Sequence, residues 1–195
     1  MIQTPRLDLV VAGERQLRAE LESRHALAAA LDCVVPASWP PEFYDADAIN
    51  YSLSWLRAHP ADADWGFYYF FERAARGARH VLIGAGGFKG PADDDGVVEL
   101  GYSIVPERHR RGYATEATRG LLGFAFASPR VKTVIGQTLP SLAASIGVLE
   151  KAGFAFDGAG ADPHAPAGEP VIRYVFTRER WRLQPPSPEA DLRPR

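Results

Sequence analysis

Val97-Val98-Glu99-Leu100-Gly101-Tyr102-Ser103-Ile104-Val105 runs into Pro106-Glu107-Arg108-His109-Arg110-Arg111-Gly112, and then into Tyr113-Ala114-Thr115-Glu116-Ala117. Val98, Leu100, Tyr102 and Ile104 are apolar at period two, with Val97, Glu99, Gly101 and Ser103 on the opposite face, which predicts a strand. Pro106 ends it. A basic turn follows, and then a helix with Ala114, Ala117, Leu121 and Ala125 along one stripe. A strand, a basic turn and a helix N-terminus in that order make an anion site, because the first N–H groups of a helix have no intrahelical partner and its dipole favours negative charge. Gly112 lets a ligand approach the backbone closely, and Arg108, Arg110 and Arg111 supply charge suited to phosphate oxygens. The segment is expected to bind a phosphorylated ligand. Local physics leaves a solvated basic loop as the other reading.

Working outward, His109-Arg110-Arg111-Gly112-Tyr113-Ala114 with Thr115-Glu116-Ala117 resembles the acetyl-CoA pyrophosphate loop of the GNAT N-acetyltransferases, written Gln/Arg-x-x-Gly-x-Gly/Ala. Gly-Tyr-Ala-Thr-Glu-Ala is similar to the ribosomal-protein acetyltransferase-like branch. His109 stands where Gln or Arg is usual, which affects a side-chain contact and leaves the backbone donors in place. A second block, Leu139-Pro140-Ser141-Leu142-Ala143-Ala144-Ser145-Ile146 through Leu149-Glu150-Lys151-Ala152-Gly153-Phe154, resembles the family's Asn-x-x-Ser-Ile, Leu-Glu-Lys and Gly-Phe elements. Leu142 replaces the asparagine. Leu149 stands where many members carry a tyrosine that protonates the leaving thiolate. The opening Thr4-Pro5-Arg6-Leu7 resembles the Thr-x-Arg-Leu start of the same branch.

Composition bounds the classes. The chain has 195 residues, suited to one domain, with a net charge of -2, which argues against a general nucleic-acid binder. Cys33 is the sole cysteine, so neither an internal disulfide nor a cysteine-built zinc site is possible, and a cytoplasmic location is expected. No stretch is apolar enough over sufficient length to span a bilayer, so no membrane partner is expected. The histidines lack metal-ligand spacing, and Asp93-Asp94-Asp95-Gly96 reads as a hairpin turn rather than a metal loop. A single domain is expected over residues 1–183, with a disordered proline-rich tail over 184–195.

The rest of the chain follows in order. Residues 4–11 read as a strand and 14–32 as one helix or two, with Leu17 and Leu21 inward. Pro36, Pro40 and Pro41 make an irregular loop around Trp39. Asp45 then caps a helix running to about His59, on which Tyr51, Trp55 and Leu56 share an apolar face. Strands are expected at 65–71 and 78–88, joined by a turn at Arg76-Gly77, with Gly84, Gly86 and Gly87 marking a close backbone approach. Further strands are expected at 132–138, from Phe154, and at 171–177. A helix from Pro140-Ser141 to Gly153 and a loop from Gly158 to Gly168 lie between them. This order predicts a mixed α/β (α+β) sheet of six to seven strands flanked by helices.

The resemblance implies the GNAT fold, splayed at its fourth and fifth strands, and acetyl-CoA as co-substrate without a metal. It also implies direct acetyl transfer to an amine, either a small molecule or a peptide. Ile104 or Val105 would supply the backbone N–H for the oxyanion, and His109, Arg110, Arg111, Gly112, Tyr113, Ala114 and Thr115 would line the pyrophosphate site. Glu99, beside small residues, is the candidate base, with a surface salt bridge as its other reading. Ser145 is the candidate to bind CoA or protonate the thiolate, with a bond to the preceding turn as its alternative. Trp39, Tyr51 and Trp55 are candidate acceptor contacts, and for the tryptophans core packing is the competing reading. A catalytically weak acyl-CoA-binding module stands as the alternative function, and a monomer or homodimer as the assembly.

Overall fold

The computed structural model describes residues 1–74, 78–160 and 170–183. The turn expected at Arg76-Gly77, all but the start of the loop over 158–168 and the tail over 184–195 lie outside them. Alternation in the opening stretch builds β5, Val97–Ile104, with Val98, Leu100 and Ile104 buried. Around it the order is β1 (Ile2–Gln3), β2 (Leu7–Val11), α1 (Glu14–Glu22), α2 (Arg24–Leu31), α3 (Ala46–Ala58), β3 (Phe67–Glu72) and β4 (Val81–Phe88). After β5 come α4 (Tyr113–Ala127), β6 (Thr133–Thr138), α5 (Ala143–Ala152), β7 (Ala155–Ala159), β8 (Ile172–Thr177) and α6 (Arg178–Leu183). The sheet is mixed, in the order β1-β2-β3-β4-β5-β6-β8-β7.

Among the described residues the sheet has eight strands, more than the expected six to seven. The first expected strand is a hairpin: Ile2 pairs with Leu9, and Thr4 N–H and Leu7 O close the turn at 2.9 Å. Pro5 cannot donate to a ladder, so extension breaks there. Three local expectations are also corrected. The helical stretch after Gly13 is two helices, because Ser23 is extended and caps α2 through its hydroxyl on Ala26 N–H, and Leu21 lies exposed at the end of α1. On α3 the inward stripe is Ile49, Leu53 and, partly, Leu56, while Tyr51 is 48% exposed. Two residues along a helix turn a side chain by about 200°, which takes Tyr51 off the stripe begun at Ile49. Finally, β7 continues through Ala159, past the glycine where a loop was expected to begin.

β3 shows why the sheet is central. Tyr68, Tyr69 and Phe70 are all at most 1% exposed, so both faces of this strand are covered. Tyr68 lies on the α4 side, where Phe88 and Phe124 continue the aromatic cluster. Tyr69 lies on the α1–α3 side. A Cβ at Gly86 would come within 2.7 Å of the Tyr102 Cα on β5 and 2.9 Å of the Phe70 ring, and one at Gly84 within 2.6 Å of Ile104, so these glycines of β4 allow close approach of the neighbouring strand. Every neighbouring pair of strands is antiparallel except β5 and β6. A parallel pair needs a crossover, and the basic turn with α4 supplies it.

Candidate functional site

The parallel pair is short. β5 and β6 match from Val97 with Thr133 to Leu100 with Gly136, and no further. β5 continues four residues, to Ile104, held on its other edge by β4. Val105 N–H is spent in that direction, on Ile83 O at 2.9 Å. Because strand N–H and C=O groups alternate in direction, those of Tyr102 and Ile104 point toward the gap. Ile104 O is taken by His109, whose Nε2 donates to it at 2.7 Å. The two strands therefore part at Leu100, leaving a slot with Ile104 N–H on one edge. Of the two residues expected to offer an oxyanion donor, only Ile104 has its N–H directed there.

At the mouth of the slot the chain turns through Pro106–Arg108 to α4. Arg110 and Gly112 adopt positive φ, 57° and 81°, and Gly112 is the N-cap without a side-chain bond. The first helical bond is Glu116 N–H to Gly112 O at 3.0 Å, so the N–H groups of Tyr113, Ala114 and Thr115 precede it. Arg110 and Arg111 are exposed. Arg108 is turned to Glu72, its Nε bonding Glu72 Oε2 at 2.8 Å. Tyr113 is 7% exposed and gives its hydroxyl to the other oxygen of Glu72. Burial pulls the Glu72 carboxyl upward, but the Tyr113 hydroxyl and Arg108 outweigh it and leave its pKa below the ordinary value.

The loop is held from an unexpected quarter. Thr4 Oγ1 donates to Glu116 Oε1 at 2.6 Å, Arg6 N–H to the same oxygen at 2.7 Å, and Arg6 Nε to Oε2 at 2.6 Å. Arg6 Nη1 also donates to Arg111 O at 3.0 Å, and its guanidinium lies 4.3 Å from the Tyr113 ring centre. Two motifs read separately along the chain thus form one clamp. It also neutralises a carboxylate in the first turn of α4 that would otherwise repel an anion. Spacing could not reveal this, since Thr4 and Glu116 are 112 positions apart.

The second block packs along the same slot. Leu149 is 1% exposed and sits over Gly136, where a Cβ would meet its Cδ2 at 2.7 Å. Leu142 is the N-cap residue of α5 and offers no side-chain cap. Ser145, half-buried in the first turn, is reached by Tyr102 from β5. The phenol donates to Ser145 O at 3.1 Å and lies 3.5 Å from Ser145 Oγ. Periodicity marks Tyr102 only as one of the apolar residues on this face of the strand.

On the opposite face, Glu99, Gly101 and Ser103 line β5. Glu99 is one-fifth exposed and does form an ion pair, with Lys89 Nζ at 2.5 Å, while Gln137 Nε2 donates to its second oxygen at 3.1 Å. Gly101 is exposed, and among the described residues nothing lies within 4 Å of the position a Cβ would take. Ser103 Oγ donates to Glu42 O at 2.7 Å, which draws the proline-marked segment onto the strand. The three aromatic candidates are not brought together. Trp55 stacks on His59 at 5.1 Å and lies over Gly66 and Gly90, next to Lys89. Tyr51 is exposed one turn earlier on α3. Trp39 is 8% exposed and belongs to a separate cluster: its indole N–H and the hydroxyls of Tyr44 and Tyr69 all donate to Glu20, at 2.6, 2.9 and 2.6 Å. Burial raises the pKa of Glu20 despite those three donors. Among the described residues no group of three His, Cys, Asp or Glu is placed to hold a metal, and no helix is long and apolar enough to cross a membrane.

Residues 15–155 match the family model described as an acetyltransferase (GNAT) domain. A segment of 94 residues, 46% of the chain, is 33% identical to the FsC-acetyl coenzyme A-N(2)-transacetylase of Aspergillus fumigatus. The chain spans less than half the length of the curated relatives it matches. Among solved structures, a putative ribosomal-protein-serine acetyltransferase from Vibrio cholerae superposes with a TM-score of 0.61 at 19% identity, covering 90% of this chain and 96% of that one. Aminoglycoside acetyltransferase AAC(6')-Ib in complex with coenzyme A gives 0.60 at 20% identity, covering 91% and 98%. These likenesses show the fold.

Proposed function

The chain belongs to the GNAT acetyltransferase family, and from that premise we propose that it transfers the acetyl group of acetyl-CoA directly to a primary amine. The observation that carries this reading is the slot opened where β5 and β6 part at Leu100 and Gly136, ending at the uncapped N-terminus of α4. The N–H groups of Tyr113, Ala114 and Thr115, with Arg110 and Arg111, receive the pyrophosphate. His109 supports the strand end rather than the phosphate. Ile104 N–H donates to the oxyanion as the amine adds to the acetyl carbonyl.

The acceptor approaches on the face of Glu99, Gly101 and Ser103, where the glycine leaves an open floor. Glu99, held by Lys89 and Gln137, takes the proton of the amine. Trp55 and Tyr51 on α3 border that approach, whereas Trp39 acts by packing behind it. AAC(6')-Ib, by its name, acetylates aminoglycosides, and the A. fumigatus relative is named for an N(2) transfer. Such precedents support an amine acceptor of small-molecule or peptide type. The matched family is one of acetyltransferases, which does not favour the binding-module alternative.

Thiol release from acetyl-CoA measured across polyamines, aminoglycosides and peptide N-termini tests this. Amine-dependent release is expected. Calorimetric binding of acetyl-CoA with no release for any amine would replace the enzyme by the binding module.

A further inference from the structure

Tyr102 is the first residue of β5 beyond the last pair with β6 whose side chain lies on the α4 and α5 side of the sheet. Its hydroxyl crosses the slot to the first turn of α5, 3.1 Å from Ser145 O and 3.5 Å from Ser145 Oγ. Direct acetyl transfer places the largest change of charge at the sulfur. As the new C–N bond forms and the tetrahedral adduct collapses, the C–S bond breaks and its electron pair moves to sulfur, leaving a thiolate. Position 149 has no donor for that charge: Leu149 is apolar and packed on Gly136.

We propose that the Tyr102 hydroxyl is a catalytic group that donates a hydrogen bond to the sulfur as the C–S bond breaks, with Ser145 Oγ as its neighbour. This rests on the acetyl transfer proposed above. The hydroxyl needs only to turn about its C–O bond from Ser145 O toward the slot. Burial holds the Tyr102 phenol up at about 12, so it stays protonated through the neutral range. It therefore gives a hydrogen bond and keeps its proton. The amine proton leaves to Glu99, which hands it on to solvent, or to water directly, and the thiolate takes a proton from solvent on release, so no residue ends the cycle in a changed state.

A purely structural role, tying β5 to α5, predicts something different, and the leaving group separates the two. In Tyr102→Phe the turnover rate with acetyl-CoA is expected to fall about 10- to 100-fold, with KM for acetyl-CoA within about twofold of wild type. With the selenium analogue of acetyl-CoA, whose selenol is a much stronger acid than the thiol, less charge needs stabilising and the deficit should shrink several-fold. A wild-type rate in Tyr102→Phe, or a deficit of equal size with both donors, would overturn the proposal. If the phenylalanine variant does not fold, difluorotyrosine incorporated at position 102 keeps the shape and sharpens the donor. An altered rate with acetyl-CoA is then expected, and an unaltered one overturns the role. Failure of the transfer reading looks different: the wild-type protein itself would release no thiol with any amine.

Discussion

The turn from Pro106 to Gly112 and the segment from Cys33 to His59 are both proline-marked; the first leads into α4 and the second contains α3. They are built in opposite ways. The first presents backbone: N–H groups ahead of α4, two residues in left-handed conformation, and a carbonyl and a carboxylate gripped by Arg6. The second presents side chains, and packing has distributed them: Trp39 inward to Glu20, Trp55 over Gly66, Tyr51 outward. A site made of backbone is specified by local conformation. A site made of side chains depends on what the rest of the fold leaves uncovered.

The strongest way to break this contrast is Gly112→Val. Among the described residues a Cβ there meets only Arg6 Nη2, at 3.5 Å, so there is room for it in the free protein. The cost lies in the φ of 81°, hostile to a β-branched residue, and in the approach of the phosphate. Acetyl-CoA affinity measured by calorimetry should fall about 30- to 100-fold, corresponding to about 2–3 kcal/mol. Undiminished affinity in a folded variant would mean the pyrophosphate does not lie on this turn.

On the side-chain half, Glu99→Gln removes basicity at nearly constant shape. Its turnover rate should drop about 10²-fold while KM for acetyl-CoA stays within twofold. An unchanged rate and pH profile would leave Glu99 as the ion-pair partner of Lys89 alone.

A weaker effect is expected at the clamp. Arg6→Ala should raise KM for acetyl-CoA about 5- to 10-fold with kcat retained, since exposed ion pairs contribute only about 0.2–1 kcal/mol each but this one joins several bonds around the loop. Steady-state kinetics on Arg6→Ala and Glu116→Gln check it. A loss of thermal stability with KM untouched would reduce the clamp to a structural strap.

The smallest effect concerns Glu20, whose pKa is raised above an ordinary value of 4.5 in the folded protein. The stability linked to its proton is present below 4.5 and is lost as pH rises through the folded value. Glu20→Gln should therefore flatten the decline of Tm above that pH by about 2–4 °C. A slope identical to wild type would show that Glu20 does not titrate in that window.

Much of this was legible because it is local. Period-two alternation placed β5, and Pro106 and Gly112 marked the turn. Asp45 capped α3 as expected, through bonds to Asp47 and Ala48 N–H. Two resembling blocks at the proper separation identified the family. Other features left no such trace. Tyr51 and Ile49 are equally plausible inward residues until the helix is docked. Arg108 looks like Arg110 and Arg111 in the sequence, and only the approach of Glu72 turns its guanidinium to an ion pair within the protein. The hairpin at Thr4–Leu7 reads as continuous strand until its bonds are seen.

The sequence by itself determined the mixed α/β class, the strand, turn and helix proposed to hold an anion, and the family. The first two follow from backbone conformation and side-chain periodicity over a dozen residues or so, and the family from the resemblance of two motif blocks. Only the tertiary structure decided which backbone donor faces the slot, because that depends on which edge of β5 is already paired. It also joined Thr4 and Arg6 to Glu116, set Tyr102 against Ser145, and separated Trp39 from Trp55. Those relations arise between residues far apart along the chain, where no local period connects them and packing alone chooses the neighbour.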